Sequence, residues 1–278
     1  MCCVLEQRTH DADAFLQPVV TQRKKAQAAE GDDYQKPDDI LQWIIDSQKF
    51  GQDDKNLAKL QLPLSFGAIH TTTLAATNAF YTLAAMPHLV PMLREDVQQA
   101  LQQSGGQFTS LAMQNMKKLD SFLKESMRCH PMSASSFQRK VLKSFALSSG
   151  QVIPKGQIIE IAAGSVSKDS EFFEDLETFD ALRFHKMRET KQRSGTGRSA
   201  AEIVANSQFV SVGTSSLAFG YGRHACPGRF FAANEIKMVV ATALLHYEMK
   251  MPDGVEGRYE NLKMGSQVII PYPHDSKD

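Results

Sequence analysis

The sequence predicts a mainly α-helical protein with a small β-sheet. Two long stretches, over residues 13–129 and 229–248, carry apolar and small residues at helical spacing. Between them, residues 136–167 contain short β-rich runs that are broken by glycine and proline, a pattern typical of strands joined by tight turns. No linker separates two complete sets of elements, so one domain over residues 1–278 fits better than two.

The composition is that of an ordinary globular protein. The 278 residues are 42% hydrophobic, and the 31 basic residues balance 31 acidic ones, so nothing indicates a nucleic-acid partner. The four cysteines contain no CxxC pair and form no disulfide framework, which indicates a reducing compartment. No run of about 18 apolar residues is present, so no transmembrane helix is predicted, and the first residues do not resemble a signal peptide.

Two helices are predicted near the start of the chain. The first covers residues 13–30, and the second begins where Pro37 is followed by Asp38 and Asp39. Trp43, the only tryptophan, lies in this second helix among isoleucines. We therefore predict that Trp43 faces the core.

Three further helices are predicted before the β-rich segment. A long helix of few charges starts at Pro63 and ends at about residue 86 before Pro87, and we expect it to be buried on most sides. An amphipathic helix follows over residues 89–103, and another covers residues 109–129.

The chain after the β-rich segment is predicted to be irregular until its last helix. Residues 169–184 are acidic and aromatic, and residues 186–200 form a polar loop in which Gly195 and Gly197 match a GxGxxA pattern without a preceding strand. The last helix follows Pro227, and its apolar side is predicted to hold five residues: Ile236, Val239, Val240, Ala243 and Leu244.

The loop FGYGRHACPG, residues 219–228, has two chemical interpretations. Gly220, Gly222 and Ala225 fit the G-x-G-x-x-A turn of dinucleotide-binding enzymes. However, only about fifty residues follow Cys226, too few for the parallel sheet that this turn requires, and the helix begins after the cysteine. A dinucleotide-binding enzyme is therefore the weakest alternative.

The second interpretation gives Cys226 the role of a metal-bound thiolate. A helix N-terminus directly after a cysteine stabilises the thiolate, and glycines let the backbone approach a flat ligand closely. Phe219 can pack on an aromatic face, and Arg223 and His224 can meet carboxylates. These are the requirements of a haem iron with an axial thiolate. A structural cysteine without such a role is the alternative.

With this loop the chain resembles the cytochrome P450 superfamily of haem-thiolate monooxygenases. The superfamily pattern F-x-x-G-x-x-x-C-x-G is matched at Phe219, Gly222, Cys226 and Gly228, with Gly220 as a further glycine between them. The resemblance implies that Cys226 is the axial ligand of haem b and that the loop contacts the cofactor. It also implies the fold of the C-terminal half of a cytochrome P450.

A second motif of this family is E-x-x-R, which is matched by Glu125 and Arg128. The segment FDALRF, residues 179–184, matches the part of the family that supplies a second arginine, here Arg183. The resemblance implies that these three residues form one buried ion network behind the haem. Glu and Arg at i and i+3 share a helix face, and two guanidiniums can satisfy one carboxylate. A solvated ion pair is the alternative for an isolated E-x-x-R.

The long helix resembles the oxygen-side helix of the family. Gly67, His70 and Thr71 align with its A/G-G-x-D/E-T-T/S pattern, with histidine in the place of the usual acid. The resemblance implies that the Thr71 hydroxyl serves iron-bound oxygen, and His70 can also relay protons. Alternatively, the threonines bond back to preceding carbonyls. The family further implies that Arg139 and His224 bind the haem propionates.

The resemblance implies insertion of one oxygen atom of O2 into a C–H bond of a hydrophobic small molecule. A separate NADPH-cytochrome reductase would supply the electrons, since no flavin site is visible. The strings AIHTTT and GRHACPGRFFAANEIK look like fungal members that oxidise terpenoids and related secondary metabolites. Such members usually lie on the cytosolic face of the endoplasmic reticulum membrane, and without an anchor this chain is expected in the cytoplasm.

The resemblance covers nearly all of the chain, but only the C-terminal half of the family. We therefore expect a truncated domain in four parts: helices that precede the distal helix over residues 1–62, the distal helix over 63–86, the E-x-x-R helix with the sheet and second arginine over 109–184, and the cysteine loop with its helix over 219–248. The alternative is a non-catalytic remnant that binds haem weakly or not at all.

Overall fold

The computed structural model describes residues 2–47, 57–191, 205–265 and 267–269. The predicted class, mainly helical with small antiparallel sheets, is confirmed. The α-helices are α1 (Cys2–Glu30), α2 (Ile40–Asp46), α3 (Leu57–Ala85), α4 (Val90–Gln102), α5 (Ser110–Asn115), α6 (Lys117–Cys129), α7 (Ala163–Val166), α8 (Arg183–Lys191) and α9 (Arg229–His246). The strands are β1 (Ser136–Lys140), β2 (Phe145–Ala146), β3 (Val152–Ile153), β4 (Ile158–Ile161), β5 (Leu262–Met264) and β6 (Gln267–Ile269).

The strands pair in three two-stranded antiparallel sheets: β1 with β4, β2 with β3, and β5 with β6. The first two sheets lie within the predicted β-rich segment. The third was not predicted from the sequence. Within the described ranges, no helix is both long enough and apolar enough to cross a lipid bilayer.

The chain divides into two compact units, Met1–His70 and Thr71–Asp278. Among the described residues of the first unit, the core cluster holds Val20, Leu41, Ile44, Ile45 and Leu57. Asp39 caps α2 by accepting the Gln42 N–H at 2.8 Å, and it also accepts two hydrogen bonds from Arg23 at 2.8 and 2.7 Å. The prediction of one domain over the whole chain stays a prediction.

The prediction that Trp43 faces the core is wrong. Trp43 is 60% exposed, and its indole N–H donates to Asp38 at 3.2 Å. The buried side of the short α2 helix is occupied by Leu41, Ile44 and Ile45. A helix turns about 100° per residue, so a side chain at position 43 points to the opposite side.

The long helix α3 differs from the prediction in two ways. It already covers Leu57, so Pro63 lies inside it, where a proline cannot donate a hydrogen bond to the carbonyl four residues earlier. It is also not buried on most sides, because Phe66 is 67% exposed and Ile69 is 61% exposed. Leu57 and Ala58 at its start are buried, and the next buried residue of the helix is Thr72. As predicted, the helix ends before Pro87.

The predicted helix over residues 109–129 is two helices, α5 and α6, which are separated at Met116. The N-terminus of α6 is capped from α4, because the Asp96 carboxylate accepts the N–H groups of Lys118 and Leu119 at 3.0 Å each. The cap comes from a residue more than twenty positions earlier in the chain, so periodicity within 109–129 does not reveal the break.

The core of the second unit is built on α6, whose buried side chains pack against α4 and α9. On α9, Ile236, Val240 and Leu244 are buried as predicted, but Val239 is 46% exposed. The predicted polar loop over residues 186–200 is wrong in its first part, because α8 continues to Lys191. Its remainder, with Gly195 and Gly197, lies outside the described residues.

Candidate functional site

The cysteine loop is a tight turn that leads directly into α9. The Cys226 N–H donates to the Phe219 carbonyl at 2.7 Å, which closes the loop around a 3-10 turn over Gly222–His224. Gly220 has φ +77, and a Cβ at this position would lie 2.8 Å from the His224 carbonyl oxygen. Only glycine therefore fits at position 220 without moving the backbone.

The loop is anchored to the core on one side and open on the other. Phe219 is buried and packs edge-on against Phe209, with ring centroids 5.7 Å apart. Cys226 is half-buried and packs against the same core. A Cβ at Gly222 or Gly228 would meet nothing within 4 Å, so the backbone at these positions leaves space for a ligand to approach closely.

These features fit a flat cofactor that is held by a thiolate. Cys226 lies three residues before the first residue of α9, an 18-residue helix, and the Arg229 guanidinium donates to the Cys226 carbonyl at 3.0 Å. Free N–H groups at a helix start stabilise a nearby thiolate. Among the described residues, no group of three or more His, Cys, Asp or Glu side chains can hold a metal ion.

Glu125, Arg128 and Arg183 form a buried ion network. Arg128 binds both oxygens of Glu125, at 2.8 and 2.9 Å, and Arg183 Nε donates to Glu125 Oε1 at 3.0 Å. The Asp180 backbone N–H donates to the same oxygen at 3.1 Å, and Glu125 is fully buried. Burial would lower the pKa of Arg128, but the hydrogen bonds to Glu125 keep this pKa above its ordinary value.

The network also organises the irregular segment that precedes α8. Arg128 donates to the carbonyls of Ser167 and Leu176 at 3.1 Å each, and Arg183 donates to that of Glu174 at 2.6 Å. The buried guanidinium of Arg128 and the partly buried guanidinium of Arg183 thus satisfy backbone carbonyls of an irregular segment. The ion network holds this segment against α6.

The other predicted site residues are exposed. Gly67 and His70 belong to the first unit, where the His70 ring packs on Phe66 at 4.4 Å between centroids, whereas Thr71 belongs to the second unit. All three are exposed.

Arg139 is exposed on β1 and donates to the Gln138 carbonyl at 2.8 Å. His224 is exposed in the cysteine loop. Their roles at a haem stay predictions.

Sequence reasoning missed a second buried charge cluster, centred on Asp120 of α6. Its carboxylate accepts hydrogen bonds from Arg188 of α8, the ammonium of Lys237 of α9 and, at 3.0 Å, the Phe209 N–H. Burial would raise the pKa of Asp120, but the two cations hold it below its ordinary value. The sequence feature that could have indicated this cluster is a charged residue on the apolar side of each of the helices α6, α8 and α9.

The environment of Cys129 yields a first prediction. Burial, and then the nearby Glu125 carboxylate, raise the pKa of the Cys129 thiol from 9.0 to about 12. At pH 8 we expect Cys129 to react with iodoacetamide about a thousandfold more slowly in the folded protein than in guanidinium chloride, because the thiolate is the nucleophile. Peptide-resolved mass spectrometry measures both rates. Equal rates in the two states would contradict this environment.

Comparisons with known proteins agree with the geometry. The profile of the Cytochrome P450 family matches residues 4–276. The chain is 40% identical to Cytochrome P450 monooxygenase ATR3 of Stachybotrys chlorohalonatus over 271 residues, which are 97% of this chain and 55% of that protein. It is 38% identical to Cytochrome P450 monooxygenase BOA4 of Botryotinia fuckeliana over 267 residues, 96% of this chain and 51% of that protein. The chain spans about half the length of these curated relatives.

Proposed function

The chain belongs to the cytochrome P450 family, and from this premise we propose that it acts as a haem-thiolate monooxygenase with Cys226 as the iron ligand. The observation that carries the proposal is the cysteine loop, in which a half-buried thiol lies at the start of α9 beside backbone that leaves space for a ligand. The resemblance of the loop to the family motif supports haem b as the proposed cofactor.

In the proposed mechanism, haem supplies dioxygen activation and transfer of one oxygen atom to a C–H bond. The chain would supply the Cys226 sulfur as the iron ligand, from its position three residues before the first residue of α9. Phe219 fixes the loop from the core side. Thr71 Oγ1 and the His70 imidazole are proposed to deliver protons on the oxygen side, and Arg139 and His224 to pair with the propionates.

We further propose that electrons come from an NADPH-cytochrome reductase and that the substrate is a hydrophobic small molecule of fungal secondary metabolism, of terpenoid or related type. The relatives that support this proposal come from fungi and are named monooxygenases. The loop string GRHACPGRFFAANEIK, which resembles such members, supports the same substrate class.

Haem loading tests the proposal directly. The chain is produced with haem supply, its haem content is measured, and the reduced protein is treated with carbon monoxide. We expect stoichiometric haem and the red-shifted Soret band of a thiolate-ligated carbon monoxide complex. A folded protein that takes up no haem would favour the non-catalytic alternative. Binding of NADPH without haem would instead favour the dinucleotide-binding alternative. Product formation with reductase and NADPH then tests turnover.

A further inference from the structure

A cavity of about 440 Å³ in the second unit lies outside the cysteine loop. Its volume is within the range of roughly 300–1,000 Å³ that small-molecule sites occupy. Apolar side chains from α6, α8 and two irregular segments form much of its wall: Met127, Phe172, Phe173, Phe184, Met187 and Phe209. Such a wall suits an aromatic or branched apolar group.

One buried amine, that of Lys124 on α6, belongs to the cavity lining. Lys124 is 5% exposed, and its ammonium donates to the Gln208 carbonyl at 2.8 Å and to Ser211 Oγ at 2.6 Å. Its third contact, with Ser216 Oγ, is long at 3.4 Å. The ammonium also lies 5.1 Å from the centroid of the Phe184 ring.

The ammonium of Lys124 has no ion-pair partner among the described residues. Asp120 lies one helical turn away, but its carboxylate already binds Arg188 of α8 and Lys237 of α9. Burial, opposed by Asp120 and reinforced by Arg188, lowers the pKa of Lys124 to about 7. Burying a cation mostly among dipoles has an unfavourable desolvation free energy. An anion bound beside the cation offsets part of that free energy.

The remaining charged groups do not fill this role. Glu125, the next residue on α6, is bound by Arg128 and Arg183. Arg128 also lines the cavity, but it is already paired with this carboxylate. Glu171 lines the cavity as well, yet it is exposed. Lys124 is therefore the lining cation that lacks a counter-ion.

We propose that this cavity binds a small apolar carboxylate, with the ammonium of Lys124 as its counter-ion. The third N–H of Lys124 turns from the long contact with Ser216 to the ligand. Ser215 and Ser216 line the cavity and can donate their hydroxyls to the same carboxylate. The aromatic wall takes the apolar part of the ligand. The site does not depend on haem, so the proposed function and this proposal can fail separately.

A matched pair of ligands tests the proposal on the unmodified chain. Isothermal titration calorimetry compares 4-phenylbutyrate with 4-phenylbutanamide, which has the same shape without the charge. At pH 6.5 we expect the acid to bind at least about tenfold more tightly than the amide. The affinity for the acid falls roughly tenfold per pH unit above the pKa of Lys124, because the neutral amine must first take up a proton. The amide shows no such trend.

A pair of variants identifies the residue. Lys124→Met keeps the volume and removes the charge, so it abolishes both the preference for the acid and the pH trend. Lys117→Met, an exposed position on the same helix, leaves both unchanged. Equal affinity for acid and amide, binding of the acid that survives Lys124→Met, or no binding at millimolar ligand would each overturn the proposal. If Lys124→Met does not fold, the comparison of acid and amide on the unmodified chain still tests whether the cavity binds a carboxylate.

Discussion

Cys226→Ser is expected to abolish the thiolate-ligated carbon monoxide spectrum without unfolding the protein. A serine hydroxyl has nearly the same size as the thiol but does not ionise near neutral pH, so it cannot replace the thiolate. The loop should persist, because its closing hydrogen bond uses the backbone N–H of residue 226 and the Phe219 carbonyl. We expect the free energy of unfolding of the haem-free protein to change by less than about 1 kcal/mol.

The measurement is the reduced carbon monoxide difference spectrum, together with chemical denaturation of the haem-free protein. Cys129→Ser is the matched control, because Cys129 is also a half-buried free cysteine but lies on α6. This control should keep the thiolate spectrum. A thiolate-ligated spectrum that survives in Cys226→Ser would show that another group holds the iron.

Glu125→Gln is expected to lower the stability of the second unit by several kcal/mol, about 3–5 kcal/mol. The substitution leaves the buried guanidinium of Arg128 and the partly buried guanidinium of Arg183 without a counter-charge, and the new amide N–H groups face these donors. Removing one partner of a buried ion pair typically costs about 3–5 kcal/mol. A domain of ordinary stability has only about 5–15 kcal/mol in total.

Denaturation in urea measures this effect, with Asp253→Asn as control. Asp253 pairs with Lys250 at 2.7 Å, but the two side chains are 93% and 76% exposed, so the loss should be below about 1 kcal/mol. Backbone amide exchange in residues 167–183 should rise strongly in Glu125→Gln, because the arginines hold the carbonyls of this segment. Equal midpoints for the two variants would contradict the structural role of the network.

Local spacing explains which parts of the site could be predicted from the sequence. Glu125 and Arg128 share a helix face because they are three residues apart. The cysteine loop could be predicted because its glycines and the following helix are contiguous with Cys226 in the sequence. The contact of Arg183 with Glu125 spans 58 positions, and only the family resemblance pointed to it.

The sequence by itself determined the family, the mainly helical class, the segment that forms small sheets and the position of the cysteine loop before α9. Each of these depends on periodicity or on a contiguous motif. The tertiary structure alone decided that Trp43 is exposed, that α5 and α6 separate at Met116 and that Lys124 is buried without a carboxylate partner among the described residues. The reason is physical. Burial, capping and charge compensation depend on side chains from distant parts of the chain, and no local pattern records which of them meet.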